Sequence, residues 1–559
     1  MARKLCAIFE VQAVLTAEVP LHVGSRDDQL GQDAPLALNG KGEPYLPGTS
    51  LAGPMRSWWQ EAFGEDPENQ RTIWGRIEEK GEGKNRQGAK EFGFASLLSV
   101  EDAPAMLAGG PTELRDGVGI DRVTGAAAEN IKYDREVLPA GTTFGLSLRL
   151  EVPSTSDVLP ALTVEMAKQR LAALLLALEN GDIRFGGGKT RGLGRLLASG
   201  IQIVCHDVNK AAGILARLKG KGEAFNWKAL REGAQRCLGG RVVLLIHWTA
   251  STPVMNKAGV EGLTVDALPL VSGGRGEKEA VLNPVLTGAS IKGVLRAQAE
   301  RICRTKAKAY GCPGDDFLTQ ISLEQIRIPL VEALFGGPGR AAKKQGNEGE
   351  VSASKRQQSR VGLGALGVDD CIVGAPLTPD RWRRILEATS AESDEAVRAA
   401  QDAIDANWTG ARLSQHVAID RWTGAAAANL LFNRLEPPTP DGGVFRLTLD
   451  TRRIVSDEPN GHIAGAAVVL LMFVLRDLAR ERIPVGFGST RGFGSIKLEK
   501  IVVESAGEEA KTFAFKEITA DQLIARDKNA LQSFEAADKD WHEYWNSYPH
   551  ARDQTAGAA

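Results

Sequence analysis

A chain of 559 residues is too long for one ordinary domain, and two or three are expected. Its 43% hydrophobic and 25% charged content is that of a soluble globular protein, and its longest apolar run, Ala466 to Leu475, is far short of a bilayer span. A net charge of −2 gives no overall attraction to polyanions, so any nucleic-acid binding must come from a local basic surface. The opening residues soon meet Glu10 and Gln12 and do not read as a secretory signal, which makes a cytoplasmic protein the expectation. Six scattered cysteines without a CxxC pair indicate neither a disulfide framework nor a standard zinc knuckle. A structural zinc ion would need Cys303 and Cys312 with ligands from elsewhere; buried or idle thiols are the simpler reading.

In chain order, the apolar stretch Leu5 to Leu15 predicts an opening strand. A loop carrying Asp33 follows, then Thr49 and Ser50 as caps of a helix on which Leu51, Met55 and Trp59 recur at i, i+4. Pro54 falls early in that helix, where the first turn tolerates it. A hairpin region surrounds residues 119–130 and ends in a strand from Phe144 to Glu151. A long helix, Val164 to Asn180, leads into a glycine-rich loop, and a strand from Gly194 to Val204 closes the series. The same order then recurs: a strand from Arg241 to Trp248, a loop with Asp266, a helix after Ser290, a helix from Ala464 to Arg480, and a strand from Gly494 to Val503.

Self-comparison makes the recurrence firm. GIDRVTGAAAEN at 119–130 and AIDRWTGAAAAN at 418–429 share nine of twelve residues. FGGGKTRGLG (185–194) answers VGFGSTRGFG (485–494), and PGTSLAGPMR (47–56) answers TGASIKGVLR (287–296). Asp33 and Asp266 are 233 residues apart, Ser50 and Ser290 are 240, and Arg191 and Arg491 are 300, so order is kept and the second copy is longer. Ordered matches of this quality indicate a tandem duplication. The expected layout is a first domain over 1–207, a linker over 208–239, and a second domain over 240–507 with insertions near 337–360 and 371–410. A charged, partly helical tail fills 508–559. Interleaved strands and helices point to an α+β fold of ferredoxin-like type in each copy.

The motifs offer phosphate chemistry. Lys189-Thr190 after three glycines is not a nucleotide-binding P-loop, because Ile183 stands where that signature needs glycine. What the copies share is Gly-x-Thr-Arg-Gly-x-Gly, a loop that lets a polyanion approach the backbone while Arg191 or Arg491 points at phosphate; a tight turn packing helix on sheet is the structural alternative. Helix N-termini at Ser50 and Ser290, with Arg56, Lys292 and Arg296 one to two turns on, make a similar offer, against ordinary capping. In the IDRxTGAAAxN segments, Arg122 and Arg421 are suited to a phosphate or a base, beside Thr124, Thr423 and, in the second copy only, Trp422.

Taken in order, PGTSLxGxxR, (I/L)(W/F)G, IDRxTGAAAxN and GxTRGxG resemble the RAMP superfamily over about 1–205 and 240–505. More closely, the set is similar to the backbone subunit of type III CRISPR effectors, which polymerises along a guide RNA, here as two fused copies. That resemblance implies a modified RNA-recognition-type ferredoxin domain in each copy, with the IDR segment as a protruding thumb hairpin that wedges between bases. It implies guide RNA, target single-stranded RNA and other effector subunits as partners, and no membrane. It also implies target-RNA cleavage by an Asp in the loop after the first strand, the place of Asp33 and Asp266, acting as ligand to Mg²⁺ (or Mn²⁺) or as proton acceptor.

Two other readings stay open. In one the chain is a guide-binding scaffold and both Asp residues are incidental. In the other it is a guide-processing endonuclease, which usually depends on histidine; the seven histidines here do not recur between copies. His22 has no counterpart and reads as structural. The segment Thr252-Pro253-Val254-Met255 replaces Leu21-His22-Val23-Gly24, leaving the path of the second Asp loop open. No GGDD segment and no helical HD dipeptide occurs, so neither cyclic-oligonucleotide synthesis nor DNA cleavage is expected.

Overall fold

Strand β1 (Leu5–Ala17) alternates buried and accessible residues over its second half, and Phe9, Val11 and Leu15 enter the core. It opens a computed structural model that describes residues 4–25, 33–63, 73–79, 91–107, 111–121, 124–154, 162–234, 236–237, 240–259, 262–275, 280–309, 328–337, 362–390, 395–454, 462–505, 515–525 and 534–547. The remaining first-copy elements used below are α1 (Gly48–Phe63), β2 (Leu98–Val100), β3 (Glu113–Ile120), β4 (Ala127–Val137), β5 (Thr143–Pro153), α2 (Val164–Glu179), β6 (Leu196–Asp207), β7 (Glu223–Phe225) and α3 (Trp227–Glu232). The chain divides into two compact units. The first comprises Met1–Thr112, Glu136–Lys189 and Gly194–Gly239; the second comprises Glu113–Arg135, Thr190–Leu193 and Gly240–Ala559. Most of the first copy's hairpin therefore belongs to the second unit.

In the first unit β1 pairs antiparallel with β5 and β6, and β2 pairs antiparallel with β5. The order β6-β1-β5-β2, with α1 after β1 and α2 between β5 and β6, is the ferredoxin-like βαββαβ arrangement. Phe9 faces Leu150 on one side and Cys205 on the other. The apolar stripe of α1 (Leu51, Met55, Trp58, Trp59) and that of α2 (Ala167, Leu171, Leu174, Leu175, Leu178) close over the sheet in one core. Thr163 caps α2 by accepting the Met166 amide.

The second copy supplies β8 (Arg241–Ala250), α4 (Gly288–Ala309), β9 (Leu366–Val368), α5 (Pro379–Thr389), α6 (Ala396–Asn407), β10 (Arg412–Ile419), β11 (Ala426–Glu436), β12 (Gly443–Asp450), α7 (Ile463–Ala479), β13 (Ile496–Ser505), β14 (Glu517–Thr519), α8 (Ala520–Ala525) and α9 (Phe534–Ser547). Its sheet order, β9-β12-β8-β13-β14, repeats the first element for element, with Ile246 facing Phe445 and Ile501. The α+β ferredoxin-like reading of both copies holds.

The repeat is longer than its motifs. Residues 208–239, read from the sequence as a linker, carry β7, which pairs with β6 and leads into α3. Arg236 clamps Asp182 through Nε and Nη2 at 2.9 and 2.8 Å, and Trp58 donates to the Cys237 carbonyl at 3.3 Å. Residues 515–525 do the same for the second copy: β14 pairs with β13 and leads into α8. The sequence reading of a tail is corrected further by α9, which buries Trp541, Tyr544 and Trp545 in the core of the second unit. Of the two insertions, 338–360 lies outside the described residues. The other forms α5 and α6, whose Trp382 and Trp408 pack edge to face at 6.0 Å in a small core with Val265, Leu268 and Leu435.

Because Trp545 is 2% exposed, Trp545→Ala is expected to cost about 3–5 kcal/mol of stability, read as a lower urea midpoint. A dispensable tail would leave the midpoint unchanged.

Candidate nucleic-acid interface

The glycine-rich loops are pinned in the same way in both copies. The Gly187 amide donates to His22 O at 2.7 Å and the Gly194 amide to Pro20 O at 2.9 Å. In the second copy Phe487 donates to Met255 O at 2.7 Å and Gly494 to Pro253 O at 3.0 Å. The path after β8 thus follows that after β1 despite the change of sequence. Gly194 and Gly494 adopt φ of +88° and +79°, and a Cβ at either would strike the carbonyl of Phe185 or Val485.

Arg191 and Arg491 are exposed at the loop crests, each held by an aromatic residue of a hairpin's return strand. Arg191 Nη1 donates to the Tyr133 hydroxyl at 2.9 Å, whereas the Arg491 guanidinium sits 5.2 Å from the Phe432 ring centre. Lys189 is half-buried beside the first crest. Phe432 stacks on His416 at 5.1 Å with an 18° interplanar angle, and burial pushes the His416 imidazole below its ordinary range.

The IDRxTG segments turn out to be tip turns. Asp420 Oδ1 accepts the Trp422 amide at 2.8 Å and the Thr423 amide at 3.5 Å, and Thr423 Oγ1 accepts the Ala425 amide at 3.3 Å. Asp121 and Thr124 do likewise at the first tip, accepting Thr124 N–H at 3.0 Å and Ala126 N–H at 3.3 Å. The Asp and Thr therefore shape the turn. What the second tip presents outward is Arg421 and Trp422, the latter 95% exposed. Arg122 and Val123 lie outside the described residues.

Asp33 and Asp266 are both exposed. Asp266 Oδ2 accepts the Asn433 amide at 2.7 Å, and Asn433 O accepts the Asp266 amide at 3.0 Å, so the acid is stitched to the base of its hairpin. One further tie recurs: Glu136 N–H donates to Ala34 O at 3.1 Å, and Leu435 N–H to Ala267 O at 3.0 Å.

Residues 14–197 and 270–497 match the RAMP superfamily, well over half of the chain. The chain belongs to the RAMP superfamily. Membership makes it a CRISPR-associated RNA-binding subunit with RNA and effector-complex partners. No curated protein matches it, and among the described residues no helix is long and apolar enough to cross a membrane.

Within this RAMP protein the helix N-termini differ from the sequence reading. α1 starts at Gly48 and α4 at Gly288, so Ser50 and Ser290 lie inside the first turn rather than at the cap. The first amides are held by carboxylates the motif reading missed: Gly48 N–H donates to Asp102 Oδ1 at 2.6 Å and Gly288 N–H to Asp370 Oδ1 at 2.8 Å. These internal anions occupy the positive helix ends on which phosphate was expected. The available signal was the pair Leu98-Ser-Val-Glu-Asp102 and Leu366-Gly-Val-Asp-Asp370, each one β-strand long. Burial raises the Asp370 carboxyl to about 6, opposed by Arg115 and the Gly288 amide.

Lys292 and Arg296 need correction too. Lys292 is 7% exposed and its ammonium donates to Leu366 O at 2.6 Å, while burial lowers it to about 7. Arg296 bonds Glu300 at 2.8 Å and Gly336 O at 2.9 Å, tying α4 to the Leu334-Phe335-Gly336 motif. Both are internal struts, whereas Arg56 is exposed on α1. Cys303 is 1% exposed in the core and burial pushes its thiol up; Cys312 lies outside the described residues.

A lysine depressed to about 7 contributes stability that is present above its unfolded value and lost as pH falls toward 7. Lys292→Met should therefore gain stability relative to the parent as pH drops from 10 to 7, while RNA affinity stays within about twofold. A fall in affinity with a weaker salt dependence would instead make Lys292 a phosphate contact.

Proposed function

We propose that this protein is a backbone subunit of a type III CRISPR ribonucleoprotein that holds guide RNA and cuts the paired target RNA at two sites, one at Asp33 and one at Asp266. The observation that carries the reading is the repeated tie between each Asp loop and its hairpin base, Ala34 to Glu136 and Ala267 to Leu435. A hairpin tip inserted between bases would bend the strand, and the tie keeps the acid in fixed register with that bend. Arg191, Arg491, Arg421 and Arg56, all exposed or outward, would neutralise phosphates. Trp422 would stack on the base it displaces.

The reaction is attack of a ribose 2′-oxygen on its own phosphorus, with departure of the 5′-oxygen of the next nucleotide. It leaves a 2′,3′-cyclic phosphate and a 5′-hydroxyl. Most of the rate would come from alignment of the two oxygens with phosphorus, which a kinked linkage provides. The carboxylate would take the 2′-proton or hold a cation against the reacting phosphate.

With Asp266 Oδ2 bonded to the Asn433 amide, a cation there would rest on the other carboxylate oxygen, RNA phosphate oxygens and water, a donor set that suits Mg²⁺. Such a cation would offset charge developing on the phosphate. Among the described residues neither Asp belongs to a cluster of three or more His, Cys, Asp or Glu side chains.

The test is cleavage of end-labelled complementary RNA by the guide-loaded assembly with Mg²⁺. Asp33→Ala and Asp266→Ala should each abolish one distinct, regularly spaced cut by about 10²-fold or more while leaving binding intact. Unchanged cutting with unchanged binding would leave a guide-binding scaffold. Trp422→Ala should weaken target binding by about 1–3 kcal/mol without altering its salt dependence. A changed salt slope would assign the tip to phosphate contact instead.

A further inference from the structure

Asp102 and Asp370 hold equivalent helix ends, yet their surroundings differ. In the second unit the carboxyl side chain of Asp370 is buried beneath β3, with Arg115 Nη1 3.6 Å from its Oδ2. Arg115 Nη2 also lies 3.1 Å from Glu113, and Glu113 accepts the Ser272 hydroxyl at 3.0 and 3.1 Å and the Gly273 amide at 2.6 Å. Glu113 and Arg115 are two apart on the inward face of a strictly alternating strand. Docking thus uses an acid-x-arginine pair: the acid takes a backbone amide and the arginine takes the helix-capping carboxylate.

The first unit carries the matching surface without that cover. Asp102 caps Gly48 in the same way but is exposed. The bridge Leu38–Pro44 corresponds to Val271–Pro284, which puts Asn39-Gly40 in the place of Ser272-Gly273. The chain's own second hairpin does not complement this surface, because Arg412 and Ser414 stand at the positions of Glu113 and Arg115. A guanidinium at 412 would face an amide donor, and a serine at 414 brings no charge to Asp102.

We infer that the surface of Asp102, Gly48 and the Asn39-Gly40 turn receives the hairpin of a different protein subunit, one whose strand opens with an acidic residue followed two positions later by arginine, and that a second copy of this chain is refused. The inference does not depend on RNA cleavage.

Rewriting the second hairpin tests it in the full chain without RNA. Sedimentation equilibrium should find the parent monomeric and the Arg412→Glu/Ser414→Arg variant self-associating, its dimerisation at least about tenfold tighter, the weight of one charge-assisted contact. Adding Asp102→Ala should return that variant to monomer. Arg412 also pairs with Glu436 at 2.7 Å, so Ser414→Arg alone provides a milder variant, expected to associate more weakly and with the same dependence on Asp102. Near-UV circular dichroism establishes that each variant is folded. A folded Ser414→Arg protein that stays monomeric would overturn the inference, as would association of the parent that Asp102→Ala dissolves. Association of either variant that persists with Asp102→Ala would also reject it, because the contact would then lie elsewhere.

Discussion

Each copy is organised by one short-range constraint: the turn after the first strand is hydrogen-bonded edge to edge with the glycine loop after the second helix. The amides of Gly187 and Gly194 reach His22 and Pro20, and those of Phe487 and Gly494 reach Met255 and Pro253. An approach this close excludes a Cβ at 186 or 486, which would strike the carbonyl of His22 or Met255, and glycine recurs there. In the second unit the same tie brings the loop of Asp266 and the crest of Arg491 to one end of the sheet. The hairpin base then joins through Asn433 and Leu435, whose backbone groups bond to Asp266 and Ala267. Acid, arginine and hairpin are thereby set by main-chain bonds, which do not depend on the rotamers of exposed side chains.

Much of this was legible in the sequence because duplication wrote it twice. Helix stripes, strand order and the glycine loops follow from period and repetition, and they fold as read. The IDRxTG segment was legible as a hairpin with a Thr-Gly turn, but the part its acid plays was not: its near-identity reflects an Asp and a Thr that bond nearby amides, leaving the neighbouring Arg and Trp to face outward. Asp102 and Asp370 escaped because their partners lie 54 and 82 residues away, a pairing that no local pattern carries. Residues 208–239 and 515–525 escaped for a different reason. Their short strands have diverged in sequence while keeping their place at the sheet edge, so only topology reveals them as counterparts.

The copies also diverge where they face a ligand. Tyr133 steadies Arg191 through its hydroxyl; Phe432 does so through its ring face and is backed by His416, where the first copy has Gly117. The first arrangement fixes the guanidinium by direction, and the second fixes it by stacking. Burial keeps the His416 imidazole below its ordinary range, so it backs the ring without adding charge at neutral pH, and Arg434 and Arg491 act on it in the same direction. The insertion of α5 and α6 adds a second difference. Its small core takes in Val265 and Leu268 from the Asp266 loop.

Fusion explains why such divergence is tolerated. Identical subunits that stack head to tail use one heterologous interface throughout, so every hairpin must fit every neighbour and a change on either side is repeated at each junction. Joining two copies in one chain removes that requirement. Glu113 and Arg115 need to match only Ser272, Gly273 and Asp370, which covalent continuity of the chain keeps at high effective concentration. Positions 412 and 414 are then released to suit another surface, and Asp102 need no longer meet the chain's own hairpin. The cost is a buried ion cluster that contributes little net stability, since desolvation of Arg115 and Asp370 offsets their attraction. Its effect lies in register: a strand displaced by one residue would turn both charges away from their partners and leave Asp370 buried without a cation.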